Sequence, residues 1–382
     1  MGELTKTMVA VGAAVLLVAI ASGSAPRRAA PDAFFDVGET FFPEFTDPEA
    51  ATSLEVVEFD EDTAAAAIFQ VTNRNGLWSI PSHHDYPADG KERLANTAAG
   101  LIAVTKDDFR SDNVTDHEAF GVIDPLDEST STLRGRGRRV TFKGSSEEVL
   151  ADLIIGNAVE GRPGLNFVRV PEQNRVYAAR TDIGISTSFN DWIETNLLEV
   201  ERDDVKHVEL NEYEVDERTG VVRNSGEFVI DWVEDSVWTA NDLPDGMEVD
   251  YVQMNLLVGG LMGLDIVGVR PKPEGLSGNL RQAFEERTIT NADLQTMQSR
   301  GFYPTQSGEM LSNEGELLVR TDQGVLYTLR FGEILFGSGN AVAIGDETSD
   351  EEETGDGENR YVLITAEFDA DAFSEPLQSS NR

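Results

Sequence analysis

Alternating apolar and polar residues recur along much of the chain and predict a protein built largely from β-strands. Residues 54–59 are the clearest example, because Leu54 and Val56 stand two positions apart with Glu55 between them. Successive side chains of a strand point to opposite faces, so this pattern predicts a half-buried strand. The Asn75-Gly76 step between two apolar stretches predicts a tight hairpin turn.

Two other stretches carry apolar residues at helical spacing and predict amphipathic helices. The apolar positions are Leu94, Ala98, Leu101 and Ile102 in the first stretch and Met254, Leu257, Val258 and Leu261 in the second. Asp89 and Asp250 precede these stretches, and each is predicted to cap a helix N-terminus. A further helix is predicted near residues 291–299.

The order of these elements repeats, which predicts an internal duplication. In each unit two strands precede the helix and three follow it. Residues 149–156 and 325–332 both resemble a strand that ends at glycine. Short turns predict mostly antiparallel pairing. The expected fold class is therefore α+β, with two tandem strand-strand-helix-three-strand repeats preceded by one N-terminal membrane helix.

This organisation divides the 382 residues into six parts. They are a membrane anchor or signal segment at 1–30, a tether at 31–50, a first α+β repeat at 51–182, a connector at 183–203, a second α+β repeat at 204–370 with an acidic loop at 346–358, and a tail at 371–382. The tether's phenylalanines are expected to pack on the folded body, since so many would otherwise lie in water. The connector is expected to cover a sheet edge or to seal the joint between the repeats.

The N-terminal segment has two interpretations. Residues 7–26 form a run of 20 without a charge, and a helix of that length spans the roughly 30 Å hydrocarbon core of a bilayer. We favour a retained anchor, although Ala19, Ala21 and Ser24 also suit a signal peptidase. The expected location is a single-pass membrane protein with an extracytoplasmic (periplasmic) domain, or a protein secreted after cleavage.

The composition of the chain argues against several functional classes. The 70 acidic and 30 basic residues give a formal net charge of −40. Such a charge repels nucleic-acid phosphates and anionic lipid head groups, so nucleic acid is not expected as a partner. The acids indicate either a saline habitat or a solvated surface without special meaning. Because the chain has no cysteine, disulfides, thiol nucleophiles and thiolate metal sites are excluded.

No motif predicts catalytic, cofactor-binding or metal-binding residues. His83-His84-Asp85 is the one cluster of metal-ligating groups, but adjacent side chains on an extended segment point apart. His117-Glu118 lacks the second His of a zinc protease helix. Residues 184–188 lack the last glycine of a serine hydrolase turn. The sequence therefore predicts a protein without enzymatic activity and without a cofactor.

Three further features have competing interpretations. The basic patch, which consists of Arg134, Arg136, Arg138 and Arg139, either docks an acidic partner or pairs with the chain's own acids, and we favour the second. Trp78 and Trp238 occupy matching positions, which indicates a core role in each repeat over a carbohydrate platform. The acidic loop at 346–358 lacks the regular spacing of a calcium loop and is expected to be solvated.

A family resemblance adds to this picture. Residues 77–81 (Leu-Trp-Ser-Ile-Pro) and 86–90 (Tyr-Pro-Ala-Asp-Gly), with residues 109–112 and 121–125, resemble the family called domain of unknown function 4340, over residues 53–369. The chain looks like the planctomycete form of that family. Its members resemble auxiliary proteins of gliding-motility-type ABC transport systems. The resemblance implies one N-terminal membrane helix and an extracytoplasmic accessory role, and it supplies no catalytic residues.

Three functions remain open at this point. The first is a membrane-anchored, non-catalytic extracytoplasmic accessory or assembly protein whose partners are envelope or membrane proteins, with ABC-transporter subunits among them. Exposed sheet edges would offer such partners a route by strand addition. The second is a polysaccharide- or peptide-binding ectodomain, which needs a concave site between the repeats. The third is an uncharacterised hydrolase, which needs convergent polar groups.

Overall fold

Two antiparallel sheets, each packed against a helix, form most of the protein. The computed structural model describes residues 36–216, 221–233, 237–241, 243–272, 289–305, 310–336 and 358–369. Within these ranges no helix has the length and apolar character needed to cross a bilayer. The predicted anchor, the tail at 371–382 and the acidic loop up to residue 357 lie outside the described residues.

The first sheet has nine strands, and two helices lie in its connections. The strands are β1 (Ser53–Asp60), β2 (Ala65–Arg74), β3 (Leu77–Ile80), β4 (Tyr86–Pro87), β5 (Asp108–Ser111), β6 (Arg138–Lys143), β7 (Val149–Ala158), β8 (Leu165–Arg169) and β9 (Val176–Arg180). The helices are α1 (Lys91–Ile102) and α2 (His117–Phe120). The spatial order is β4-β3-β2-β1-β6-β7-β8-β9-β5.

The second sheet has six strands and is accompanied by a small two-stranded sheet. Its strands are β10 (Val205–Asp216), β11 (Val221–Val233), β12 (Val237–Ala240), β15 (Glu316–Thr321), β16 (Val325–Phe336) and β17 (Glu358–Phe368), in the order β12-β11-β10-β15-β16-β17. The small sheet pairs β13 (Phe302–Pro304) with β14 (Met310–Ser312). The helices of this half are α3 (Tyr251–Met262) and α4 (Asn291–Ser299).

Antiparallel pairing joins every neighbouring pair of these strands, which confirms the expected α+β class with mostly antiparallel sheets. The predicted hairpin at Asn75-Gly76 joins β2 to β3. Asn75 has φ 58° and Gly76 has φ 87°. Positive φ at both central positions is what a two-residue hairpin of the favoured twist requires, and Asn and Gly tolerate it best.

Helices α1 and α3 each lie on a sheet through three buried apolar residues with the same spacing. In α1 these are Leu94, Ala98 and Leu101, and in α3 they are Met254, Val258 and Leu261. The α1 residues join the core of the first sheet, and the α3 residues join the core of the second. The apolar faces seen in the sequence are therefore the faces that bury the helices.

Several details differ from the sequence-based expectation. Four strands precede α1 and three precede α3, where the sequence predicted two in each half. The additional strands are β3 and β12, which contain the tryptophans, and the short β4. Asp89 is not a helix cap; its backbone N–H donates to Trp192 O at 2.8 Å. Asp250 does cap α3, accepting from the N–H of Val252 at 2.8 Å. The helix expected at residues 291–299 is confirmed as α4, with a capping box between Thr290 and Asp293.

A glycine in the middle of one strand interrupts the pairing in both sheets. The register of β7 with β8 shifts after Ile155, next to Gly156, and that of β16 with β17 shifts after Phe331, next to Gly332. A Cβ at Gly156 would lie 2.5 Å from the carbonyl oxygen of Phe120, the last residue of α2. At Gly332 a Cβ would collide with the carbonyl of Arg300, which follows α4. Both bulges therefore receive the carbonyl at a helix end.

The described part of the tether is held on the first sheet. Phe41 and Phe45 are buried in the first core, as expected for the tether's phenylalanines, whereas Phe34 and Phe35 lie outside the described residues. Buried Asp36 accepts a hydrogen bond of 2.5 Å from Tyr177 Oη and an ion pair of 3.2 Å from Lys106. Burial and the bond to Asp36 raise the pKa of Tyr177 to about 12, so Tyr177 stays a hydrogen-bond donor.

The connector contributes side chains to both cores. Phe189, Trp192 and Ile193 belong to the first core, and Leu198 belongs to the second. Its chain then bonds to the segment that follows α3: Leu197 N–H donates to Leu264 O at 2.9 Å, and Ile266 N–H donates to Thr195 O at 2.7 Å. The connector therefore fixes where residues 264–266 run between the two halves.

The close approach at the bulges leads to a stability prediction. Gly156→Ala and Gly332→Ala should each lower the free energy of unfolding by roughly 1–3 kcal/mol, because the added methyl group meets a backbone carbonyl that cannot move without the helix end. Urea unfolding of the purified chain measures this. Gly184→Ala is the matched control, since nothing lies within 4 Å of its added Cβ. Unfolding midpoints of all three variants equal to that of the unmodified chain would contradict the account.

Candidate binding groove

A cavity of about 390 Å³ lies where the second half meets the connector and the first half. One wall is the segment 265–272, and the other is residues 359–364 of β17. Leu197 and Tyr86 contribute from the connector and the first half, and Met297 and Phe302 contribute from the α4 side. We call the space between residues 265–272 and 359–364 the β17 slot. Its volume lies within the roughly 300–1,000 Å³ range of ligand pockets.

The β17 slot lies along an edge of the second sheet. Among the described strands, β17 pairs with β16 alone and is the last strand in the order. Tyr361 and Leu363 pack on the cluster around Met297, whereas Val362 and Ile364 pack on the core beneath α3. Consecutive residues thus face opposite sides of the sheet, and all of them line the cavity. A cavity that touches both faces of a strand must follow its edge.

Positive charge is concentrated at this slot. Among the described residues that line the slot, four are basic, namely Arg270, Lys272, Arg300 and Arg360, and one, Asp265, is acidic. The chain as a whole has 70 acidic and 30 basic residues, so this balance is the reverse of the average. A cationic recess in such a chain favours an anionic ligand, because the low-dielectric walls strengthen the local field.

Arg300 and Arg270 both lie against the ring of Tyr361. The guanidinium carbons are 5.7 Å and 6.0 Å from the ring centroid, respectively. Burial lowers the pKa of Arg300, Tyr361 acts in the opposite direction, and the neighbouring Arg270 lowers it further. Arg300 Nη1 reaches Pro271 O at 3.5 Å, and no carboxylate of the described residues forms an ion pair with Arg300. A bound carboxylate would relieve this cation–cation repulsion.

Arg360 is positioned by the bulge in β16. Its Nη1 donates to Gly332 O at 2.8 Å and lies 3.7 Å from a carboxylate oxygen of Glu314. The backbone carbonyl of Arg300 also lies against Gly332, and the N–H of Glu333 donates to that carbonyl at 3.0 Å. One bulge therefore contacts two of the slot's arginines, and it holds the guanidinium group of Arg360 and the backbone of Arg300.

A second depression lies at the start of α1. It has a larger volume, about 890 Å³, and is lined by polar residues that include Lys91, Arg93 and Asp191. Here opposite charges already meet, since Arg93 is 3.8 Å from Asp191. The β17 slot is the stronger candidate because its walls are mostly apolar and its cations outnumber its acids.

The histidine cluster singled out in the sequence is divided between core and solvent. His83 is 4% exposed and stacks on Phe189 with ring centroids 4.8 Å apart, whereas His84 is exposed. Burial lowers the pKa of His83 to about 4, with a smaller contribution from His84, and its Nε2 has no hydrogen-bond partner in the described structure. Asp85 lies 3.7 Å from Arg74. These three residues therefore do not converge on one ion.

The other candidate residues also have structural roles. His117 is buried, and its Nε2 lies 2.9 Å from Asn174 O. Ser186 Oγ donates to Asp191 at 2.5 Å instead of meeting a histidine. No group of three or more His, Asp or Glu side chains in the described ranges could hold a metal ion.

The basic patch pairs largely with the chain itself. Arg138 forms an ion pair with Glu58, and Arg139 contacts Asp152 at 2.6 Å and Asp124 at 3.0 Å. Arg136 donates to five backbone oxygens of the loop before β6, namely those of Asp124, Pro125, Asp127, Thr130 and Thr132. The favoured interpretation, pairing with the chain's own acids, is confirmed for Arg138 and Arg139. Arg136 is held by backbone oxygens instead, and Arg134 is exposed.

The tryptophans at matching positions pack inward. Trp238 is 6% exposed and meets Trp232 edge to face at 5.0 Å between centroids. Trp78 is half-buried against the first core. These contacts favour the core role and leave neither indole as a flat exposed platform for a sugar.

Sequence reasoning did not single out the residues of the β17 slot. Arg270, Arg300 and Arg360 are 30 and 60 positions apart along the chain, so no local motif connects them. The sequence offers only a weak signal, in that Arg270 follows Val269 and Arg360 precedes Tyr361, whereas Arg300 stands between Ser299 and Gly301. Their convergence depends on the pairing of β16 with β17 and on the path of residues 265–272.

Comparison with known proteins identifies a family to which the chain is similar. The model of a family described as a domain of unknown function (DUF4340) matches residues 78–278, which is more than half of the 382 residues. The chain belongs to the DUF4340 family. No curated protein and no solved structure shows significant similarity to the chain.

The DUF4340 match runs from β3 past α3 and includes the 265–272 wall of the slot but not β17. It confirms the family resemblance seen in the sequence, over a shorter span than the expected residues 53–369. The planctomycete form and the link to ABC transport stay predictions.

The buried His83 leads to a prediction about pH. Its pKa is near 4 when folded and about 6.5 when unfolded, so the unfolded chain binds more protons between these values. The stability of the chain should therefore fall by roughly 2–3 kcal/mol from this residue as pH drops from 7 to 4. His83→Phe, which keeps the stacked ring, should remove that part of the slope in urea unfolding. Exposed His84→Asn serves as the control, and an unchanged slope in His83→Phe would contradict the assignment.

Proposed function

We propose that this DUF4340 protein is a non-catalytic accessory or assembly protein, anchored by its N-terminal segment with both α+β halves outside the cytoplasm. Its partners are envelope or membrane proteins, with ABC-transporter subunits as the class that the family resemblance implies. One observation carries the binding role: the outward face of α3 is apolar, whereas the same face of α1 is polar.

The two helices provide an internal comparison. Counted from their buried positions, Glu92 and Asn96 of α1 correspond to Val252 and Leu256 of α3. Val252 is 65% exposed and Leu256 is 63% exposed, one turn apart on the same side of the helix. Tyr251 is 44% exposed beside them. We call Tyr251, Val252 and Leu256 the α3 outer face.

A contiguous apolar face on a highly charged surface favours contact with another protein. Solvent-exposed apolar side chains scattered singly need no explanation, but neighbouring ones mark interaction sites. An anionic membrane surface is disfavoured as the occupant, because the chain's net charge of −40 would be repelled by it. The α3 outer face thus supports docking on an apolar surface of a protein, the arrangement that an accessory subunit needs.

We infer that the two halves descend from a duplicated unit. The supporting observations are that β3-β2-β1-β6-β7-β8 and β12-β11-β10-β15-β16-β17 have the same order, with α1 and α3 at the same point. The matching bulges at Gly156 and Gly332 also support it. On this view the buried positions of the helices were kept, while α3 acquired a different outer face.

Replacing the α3 residues by their α1 counterparts tests the docking role. Val252→Glu combined with Leu256→Asn should abolish recovery of ABC-transporter subunits when the tagged full-length chain is isolated from native membranes in mild detergent. The unfolding free energy should change by less than about 0.5 kcal/mol per site, because both side chains are exposed. Mass spectrometry of the recovered proteins and urea unfolding provide the two readouts.

The control is the α1 pair Glu92→Ala and Asn96→Ala, which should recover the same subunits as the unmodified chain. A chain that starts at Pro31 should leave the membrane fraction, which tests the anchor separately. Recovery of no membrane partner by the unmodified chain, together with soluble protein outside the cell, would overturn the accessory role and favour a secreted binding protein.

A further inference from the structure

We propose that the β17 slot binds an extended acidic peptide segment of a partner protein, which adds to β17 as a further strand and places its carboxylates against Arg270 and Arg300. This goes beyond the docking role of the α3 outer face, because the two surfaces share no residue. It also names the chemistry of the ligand.

The first step of the argument is the edge of the second sheet. At an edge strand every second residue turns its backbone N–H and C=O away from the sheet, and an incoming extended chain can pair with them. Strand β17 is 11 residues long and is the edge of the six-stranded sheet. Residues 360–364 of this edge line the cavity, and β16 is the one described strand that pairs with this stretch.

The second step is the opposite wall. Residues 265–272 follow α3 without regular secondary structure beyond one bridge, between Asn196 and Asp265. The hydrogen bonds between residues 195–197 and 264–266 hold the start of this wall in place. The slot is therefore bounded on one side by a strand edge and on the other by an irregular segment whose start is held in place, a shape that suits a single extended chain.

The third step is charge. Arg270 and Arg300 flank the Tyr361 ring, and Arg300 has no carboxylate partner among the described residues. Arginine guanidinium groups bind carboxylates through paired N–H donors, and the bond is strongest where water is partly excluded. Side chains of an added strand alternate between two faces, so acidic residues at every second position would reach the same side of the slot.

The fourth step is the apolar lining. Tyr86, Leu197 and Phe302 leave a recess that a fully charged segment would not fill. The fitting peptide therefore alternates acidic with apolar residues, such as Val with Glu. A free organic acid would satisfy the arginines but would leave the strand edge without a hydrogen-bonding partner.

Peptide binding to the purified full-length chain in detergent tests the proposal. A fluorescently labelled peptide of alternating Val and Glu should bind, as measured by anisotropy. The same peptide with Gln for Glu should bind at least about tenfold more weakly, and salt should weaken the Glu form more. A third peptide, N-methylated at alternate residues on its pairing edge, should also lose about tenfold, since it cannot donate to β17.

Variants of the slot provide the second arm. Arg270→Gln with Arg300→Gln should reduce affinity for the Glu peptide to that for the Gln peptide, while exposed Arg134→Gln should not change it. The comparison among peptides uses the unmodified chain, so it stays decisive even if the double variant unfolds. Val252→Glu with Leu256→Asn should keep full peptide affinity, which separates failure of the slot from failure of the α3 outer face.

Three outcomes would overturn the proposal. Equal binding of the Glu and Gln peptides would show that the slot does not recognise carboxylates. Binding of the N-methylated peptide or of octanoate as tightly as the Glu peptide would indicate a site for free acids without strand addition. A tenfold gain in affinity after Asp and Glu at 346–357 are replaced by Asn and Gln would mean that the chain's own acidic segment occupies the slot.

Discussion

The short connector between the two sheets must fill two hydrophobic cores at once, and the geometry of the joint depends on it. Trp192 is fully buried in the first core, with its indole N–H donating to Ser186 O at 3.0 Å, and six residues later Leu198 enters the second core. So few residues leave little freedom between these two points. The chain between them pairs with residues 264–266, which sets the wall that faces β17.

Charge is distributed unevenly over this framework. Several arginines of the first half bind groups within the protein. Arg139 forms ion pairs with Asp152 and Asp124, and buried Arg169 donates to backbone oxygens that include Val122 O at 2.9 Å. The chain's net charge of −40 makes the remaining surface acidic, which favours hydration. The β17 slot differs from this acidic surface, because the guanidinium groups of Arg270 and Arg300 both lie against the ring of Tyr361 there.

Local patterns in the sequence predicted local structure well. The Asn75-Gly76 turn, the buried faces of α1 and α3, the cap at Asp250 and helix α4 are all specified by residues within one or two turns of each other. Asp89 was misassigned because its backbone is drawn into a bond with Trp192, more than 100 positions away. The β17 slot could not be predicted for the same reason, since its walls meet only after distant strands pair. The tryptophans suggested a core role, and their packing supports it because both lie on hairpin strands that face the cores.

At each bulge glycine, the residue whose carbonyl meets the glycine can be substituted with little effect on the fold. The residue whose carbonyl rests on Gly156 is Phe120, and its counterpart on Gly332 is Arg300; a glycine with positive φ follows each of them. The contact uses only the backbone carbonyl of this residue, so its side chain can differ between the two halves without disturbing the bulge. One half carries a ring that packs on Phe167, with 4.4 Å between centroids, and the other carries a guanidinium that faces a ligand-sized recess. A contact of this type between a bulge and a helix end allows the surface chemistry to change while the fold beneath it stays the same.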